Sequence, residues 1–118
     1  MFTNKFKSIF LVYILSVSIS PTIQAKESFS GKEIYQNNCA VCHGPIGKPD
    51  QDNPLFGQSG VLPANFTDPL FSSREPGKDW FMVVKHGGAA KGFSEIMPAF
   101  KDVLSDRDIK KVINYVKG

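Results

Sequence analysis

The sequence predicts an all-α domain in which three to four short helices and long proline-rich loops surround something other than their own core. Three observations predict it. Two segments pair helix-start chemistry with apolar residues at helical spacing. Between them, six of the eight prolines fall from Pro45 to Pro76. Each lacks a backbone donor and restricts the residue before it, which excludes long helix and central strand. The third is the run Cys39-Ala-Val-Cys42-His43, which identifies what the loops wrap.

Residues 1–25 have the organisation of a signal peptide. Lys5 and Lys7 form a positive start, Ile9 to Ile19 is mostly apolar, and Pro21 breaks any helix there. Ile23-Gln24-Ala25 then offers a cleavage site after Ala25. The apolar run is about half of the ~20 residues that a membrane-spanning helix needs. An exported, periplasmic protein without stable membrane insertion after cleavage is therefore expected, an uncleaved anchor being the alternative.

The remaining residues, 26–118, make one small domain. Lys5 and Lys7 leave with the leader, so 12 basic residues face 11 acidic ones and the net charge falls from +3 to +1. That balance gives no reason to expect a nucleic-acid partner.

The first helix is expected to begin at Gly31. Ser30 and Glu33 have capping-box spacing, each side chain satisfying a backbone donor of the other. Ile34 and Tyr35 supply the apolar contacts, and the helix delivers Cys39 into the motif.

Two cysteines three positions apart, with histidine directly after the second, are the signature of covalent c-type haem attachment. Each thiol can add to one vinyl group, and the two intervening residues let both sulfurs reach the same macrocycle edge. His43 is then carried beneath the ring as the proximal iron ligand. A thioredoxin-like pair belongs after a buried strand, and no strand-rich pattern surrounds this one. Structural zinc needs four ligands, and Cys39, Cys42 and His43 provide three, with His86 as the remaining candidate. A domain of this size is marginal on its own core, and a covalently held haem c would staple it. Its two propionates would bring the net charge to about −1.

From Gly44 to Pro76 the chain is expected to be extended coil. Leu55, Phe56, Val61, Leu62, Phe66, Leu70 and Phe71 are too apolar for a solvated linker, and several should line haem or core. A second helix is expected over Lys78 to His86, with Trp80, Val83 and Val84 on one face and Gly87-Gly88 ending it. Beyond it, Met97 precedes Pro98, which favours an extended conformation at residue 97 and can project its side chain into a cleft. Met97 is the favoured second axial ligand of the iron. Met82, inside the helix, reads as core filler, and His86 would give a bis-histidine site. The last helix starts at Ser105, with Asp106 and Asp108 in its first turn and Lys117 in its last. Ile109, Val112, Ile113 and Val116 form its apolar stripe.

The order Gly31-x-x-x-Tyr35-x-x-x-Cys39-x-x-Cys42-His43-Gly44, a proline-rich loop, Gly87-Gly88, Met97-Pro98-Ala99-Phe100 and a terminal amphipathic helix resembles class I cytochrome c, most closely the small bacterial monohaem type. The resemblance spans essentially all of residues 26–118. It implies haem c held by Cys39 and Cys42, with His43 and Met97 as axial ligands. It also implies crossed first and last helices, with Gly31 and Tyr35 near Tyr115. A backbone carbonyl downstream of the motif should orient His43, the candidates being Pro54 and Pro63.

The function expected is single-electron transfer between redox donor and acceptor proteins, without enzymatic chemistry on a small molecule. No acid–base pair beside the haem is evident. Two alternatives stand beside it: a haem subunit of a periplasmic dehydrogenase or oxidase complex, and a peroxidase-like enzyme with a labile sixth site.

Overall fold

A computed structural model describes residues 28–118 apart from 58 and 75. The expected leader, residues 1–25, lies outside the described residues. Among the described residues there is helix and coil but no strand, as the all-α reading anticipates.

Helix α1 (Gly31–Asn38) has its capping box in place: the Ser30 hydroxyl accepts from the Glu33 N–H at 3.3 Å, and the Glu33 carboxylate accepts from the Ser30 N–H at 2.7 Å. Cys39 closes α1 and starts a one-turn helix, α2 (Ala40–His43). Gly44, at φ 79°, stops it. Helix α5 (Gly77–His86) ends where Gly87 adopts φ 86° and returns its N–H to the Val83 carbonyl at 2.8 Å. A 3-10 turn (Gly88–Lys91) follows. Helix α6 (Asp106–Lys117) is capped by the Ser105 hydroxyl, which accepts from the Asp108 N–H at 3.2 Å.

The proline-rich stretch is not uniformly coil. It holds two further short helices, α3 (Pro54–Gly57) and α4 (Pro69–Arg74). Each begins with proline at the first helical position, where a missing N–H costs nothing and the fixed φ is helical already. The preceding side chain supplies the cap: Asn53 Oδ1 accepts from the Leu55 N–H at 3.0 Å, and Asp68 Oδ1 from the Leu70 N–H at 2.9 Å. With α2, these one- and two-turn pieces add to the three longer helices read from the sequence.

The core forms where α1 crosses α6. Ile34, Tyr35 and Val112 pack together there, and Ile109 and Ile113 are also buried. At the crossing, Gly31 lies against the Lys111 carbonyl and the Tyr115 Cβ, leaving no room for a side chain. The rings of Tyr35 and Tyr115 are 5.6 Å apart. Lys111 reaches back to the Phe29 carbonyl at 2.9 Å and to the Ser28 hydroxyl. Lys85 joins α5 to α6 through Asp106 at 2.8 Å. This two-helix core leaves the aromatic residues of the middle of the chain to line something else.

Candidate cofactor site

The helix that carries Cys39 is held by its N-terminal cap and by its crossing with α6. Cys39 Sγ belongs to the turn where α1 hands over to α2, packed against the Ile34, Tyr35 and Val112 cluster. The backbone N–H groups of Cys42 and His43 both donate to the Cys39 carbonyl, at 3.1 and 2.9 Å, so the two cysteines lie one helical turn apart. Both are free thiols. Burial, with Cys42 beside it, pushes the Cys39 thiol up to about 11.

His43 is buried. Its Nδ1 faces the Ala64 carbonyl at 3.1 Å, which selects the tautomer with the proton on Nδ1 and leaves the Nε2 lone pair available. Burial depresses the pKa and so favours the neutral, metal-binding imidazole. The orienting carbonyl is therefore neither Pro54 nor Pro63 but the residue after Pro63. The reason lies in the loop: the Phe66 N–H donates to the Gly47 carbonyl at 2.7 Å, a tie that fixes the nearby loop around the histidine. The Phe66 ring stacks on the imidazole at 4.4 Å with 16° between planes.

His43 and Cys42 open onto a cleft of about 360 Å³. Phe56, Val61, Leu62, Pro63, Phe66 and Phe71 line it from the loop, Trp80, Val83 and Val84 from α5, and Phe93, Ile96, Met97 and Pro98 from the segment beyond. Phe66 and Trp80 are 5.3 Å apart, and Phe71 touches both. Leu55 and Leu70, from the same apolar set, are exposed and do not line it. Asp79 is the one carboxylate on the wall among the described residues, and Lys91 holds it at 2.9 Å.

Met97 reaches the cleft from a segment fastened to the end of α5. The Gly88 N–H donates to the Met97 carbonyl at 3.0 Å, the Phe100 N–H to Val84 at 3.0 Å, and the Lys101 N–H to Lys85 at 3.1 Å. The last two bonds satisfy helix-terminal carbonyls that would otherwise lack partners. The rival ligands lie elsewhere. Met82 is 40% exposed and lines a separate groove with Phe81 and Lys110, and His86 is exposed at the end of α5. Among the described residues, no three or more His, Cys, Asp or Glu side chains form a group able to hold a metal ion, so Cys39, Cys42, His43 and His86 do not converge as structural zinc would require.

The residues present fit a haem. The cleft is apolar, as a macrocycle face demands, and gathers an imidazole with a free Nε2, a thioether and a thiol. One further atom points the same way. Trp80 Nε1 is buried without a hydrogen-bond partner among the described residues, an arrangement that costs about 1–3 kcal/mol if nothing accepts from it. A haem carries carboxylates that can. The sequence had presented Trp80 only as part of an apolar helix face; its N–H, which needs a partner whenever the indole is buried, was the available signal. Ala64 offered none, because only the tertiary path of the loop brings its carbonyl to His43.

Comparison with known proteins bears on the family and the fold. Residues 29–116 match the family model described as cytochrome C oxidase, cbb3-type, subunit III. Two curated relatives, both cbb3-type cytochrome c oxidase subunit FixP, come from Bradyrhizobium sp. strain ORS 278 and Bradyrhizobium diazoefficiens. They are 29% and 28% identical over 104 residues, covering 88% of this chain. The chain spans about a third of their length, 31% in each case. Among solved structures, the KustC0563 c-type cytochrome superposes with a TM-score of 0.60 at 23% identity, covering 76% of this chain and 96% of that one. That likeness establishes the fold: the helices and coil described above have the architecture of a c-type cytochrome.

Proposed function

We propose that this chain, which belongs to the cytochrome c oxidase, cbb3-type, subunit III family, is an exported monohaem domain that carries single electrons between redox proteins. The observation that carries the reading is the convergence of Cys42, His43 and Met97 on one apolar cleft, with Cys39 a helical turn from Cys42.

The haem, when bound, supplies an iron that cycles between two oxidation states. The chain's own residues do the rest. Cys39 and Cys42 would hold the macrocycle at the α1–α2 turn, each thiol adding across one vinyl group to give a thioether. His43 presents Nε2 while the Ala64 carbonyl holds Nδ1–H, which fixes the tautomer and strengthens the ring as a donor. Met97 offers a soft sulfur, which favours the reduced state and raises the potential. The buried indole N–H of Trp80, which has no partner among the described residues, would be available to a carboxylate of the haem. The aromatic and aliphatic wall excludes water, so little polar reorganisation accompanies the change in charge. Asp79, the one carboxylate on the wall among the described residues, is tied to Lys91.

A second reading deserves its place because of the relatives' names. Both are subunits of a cbb3-type oxidase, so this domain can serve as a fixed electron-entry subunit of such a complex rather than a free carrier. Both versions place it in the periplasm, with residues 1–25 as the leader.

Mass spectrometry of the protein isolated from its native compartment tests the reading. Denatured and extracted with acid–acetone, the chain should begin at Lys26 and retain one haem, with both cysteines alkylation-resistant. Freely extractable haem overturns it. Co-purification with oxidase subunits, against recovery as a free monomer, separates the complex from the carrier.

A further inference from the structure

We propose that Phe66 is a positioning residue for the axial histidine: its ring sets the plane of the His43 imidazole and so the electronic state of the iron. The proposal rests on His43 being that ligand.

One hydrogen bond does not fix a ring. The contact from Nδ1 to the Ala64 carbonyl, at 3.1 Å, restrains one edge but leaves the imidazole free to tilt about the line joining the two atoms. A flat surface against its face removes that freedom. Phe66 provides one at 4.4 Å and 16°, an offset-stacked arrangement of the kind aromatic pairs prefer.

Phe66 is itself held on every side. Its N–H donates to the Gly47 carbonyl at 2.7 Å, and Gly47, at φ 83°, brings its backbone so close that an added Cβ would lie 3.1 Å from the Phe66 Cβ. Tyr35 meets its ring edge-on at 6.5 Å, and Trp80 lies 5.3 Å away. The ring therefore transmits the positions of α1 and α5 to the histidine. An aliphatic residue would fill part of the space without presenting a plane.

The orientation of an axial imidazole selects which iron d orbital carries the unpaired electron in the low-spin ferric state. That choice appears in the spread and order of the four haem methyl proton shifts and in the anisotropy of the electron paramagnetic resonance (EPR) spectrum. These readouts respond to ring rotation and not to loose packing alone.

The test compares wild type, Phe66→Tyr, Phe66→Leu and Val116→Ala as covalently loaded ferric proteins. Val116 packs against the core away from the cleft and controls for general destabilisation. Phe66→Tyr should keep the methyl-shift order and EPR anisotropy of wild type, Phe66→Leu should reorder the shifts and change the anisotropy, and Val116→Ala should leave both as they were. In reduced wild type, proton Overhauser contacts should join the Phe66 ring to the His43 imidazole, a measurement that needs no variant to fold. Absence of those contacts, or unchanged spectra in Phe66→Leu, or equal disturbance in Val116→Ala, overturns the proposal. A wild-type protein whose iron lacks histidine ligation would instead remove the reading on which it rests.

Discussion

Gly88 donates its backbone N–H to the carbonyl of Met97 at 3.0 Å. The first residue of the 3-10 turn beyond α5 thus grips the residue whose side chain lines the cleft. Since Phe100 and Lys101 also bond to the carbonyls of Val84 and Lys85, the Met97 segment is an extension of the helix end rather than an independent loop. Its position should depend on main-chain geometry several residues away.

Met97→Ala should leave the haem attached but open the sixth coordination position. The weak long-wavelength sulfur-to-iron band should vanish, the potential should fall, and carbon monoxide should bind where wild type takes up none. Met82→Ala should do none of these, because Met82 lies in a separate groove. Optical titration with carbon monoxide checks both; the reverse pattern would make Met82 the ligand.

Gly88→Ala should weaken the same ligation without touching the sulfur. The new methyl group would collide with the Ser94 carbonyl and come within 3.1 Å of the Met97 Cβ. Overpacking of this kind costs about 1–3 kcal/mol. Denaturant unfolding should show that loss, together with a partial high-spin signal; wild-type ligation in the variant would mean that the segment adapts freely.

Tyr35→Phe removes a buried hydroxyl that donates to the Gly44 carbonyl at 2.7 Å. Burial pushes this phenol up to about 12, so it is a neutral donor at every working pH. That carbonyl keeps the Gly47 N–H as a second donor at 3.2 Å, so the change should cost about 0.5–1.5 kcal/mol, the net worth of one hydrogen bond. Equilibrium unfolding from pH 6 to 9 should give a constant difference; a difference that changes across this range would mean that the hydroxyl titrates there.

Asp108 should contribute acid-sensitive stability. The Ser105 hydroxyl, and next Lys111, hold its carboxyl below the ordinary value of 3.8, and its position in the first turn of α6 suits a negative charge. A carboxylate depressed on folding stabilises above its unfolded pKa and loses that contribution as pH falls through the folded value. Asp108→Asn should therefore be less stable than wild type at pH 6, by an equal margin at pH 5, with the gap closing below about pH 4. Urea midpoints across that range measure it; a gap that widens in acid would reverse the sign.

The helices that organise the fold were legible because their signals are local. Ser30 with Glu33, and Ser105 with its following acids, mark where α1 and α6 start, and the stripe of Ile109, Val112 and Ile113 names the buried face. That Cys42, His43 and Met97 face one cleft was foreshadowed by the Cys-x-x-Cys-His spacing and by the proline after Met97. The short helices at Pro54 and Pro69 were missed for a definite reason. Proline was read as a breaker, although Asn53 and Asp68 just before it give the cap-then-proline signature of a helix start. What no local signal carries is the meeting of Ala64, Phe66 and His43. It depends on Gly47 receiving the Phe66 N–H from 19 positions further along, a closure decided by tertiary packing.

Lys111 bonds to the Phe29 carbonyl across 82 positions of chain, at the same crossing where Gly31 meets α6. Most of the domain is thus one circuit closed where α1 and α6 cross, with Lys111 as one of the clasps. Bringing its ends together costs about 4 kcal/mol of chain entropy for a loop of this length, and little is returned until α1 and α6 dock. Such a distant contact raises the contact order above that of a bundle built from neighbouring hairpins and slows the search for it. If both His43 and Met97 bound one haem iron, the circuit would be tethered partway round, leaving a shorter span to close. A mutation at this crossing should therefore alter folding rate before it alters anything measured at the cleft.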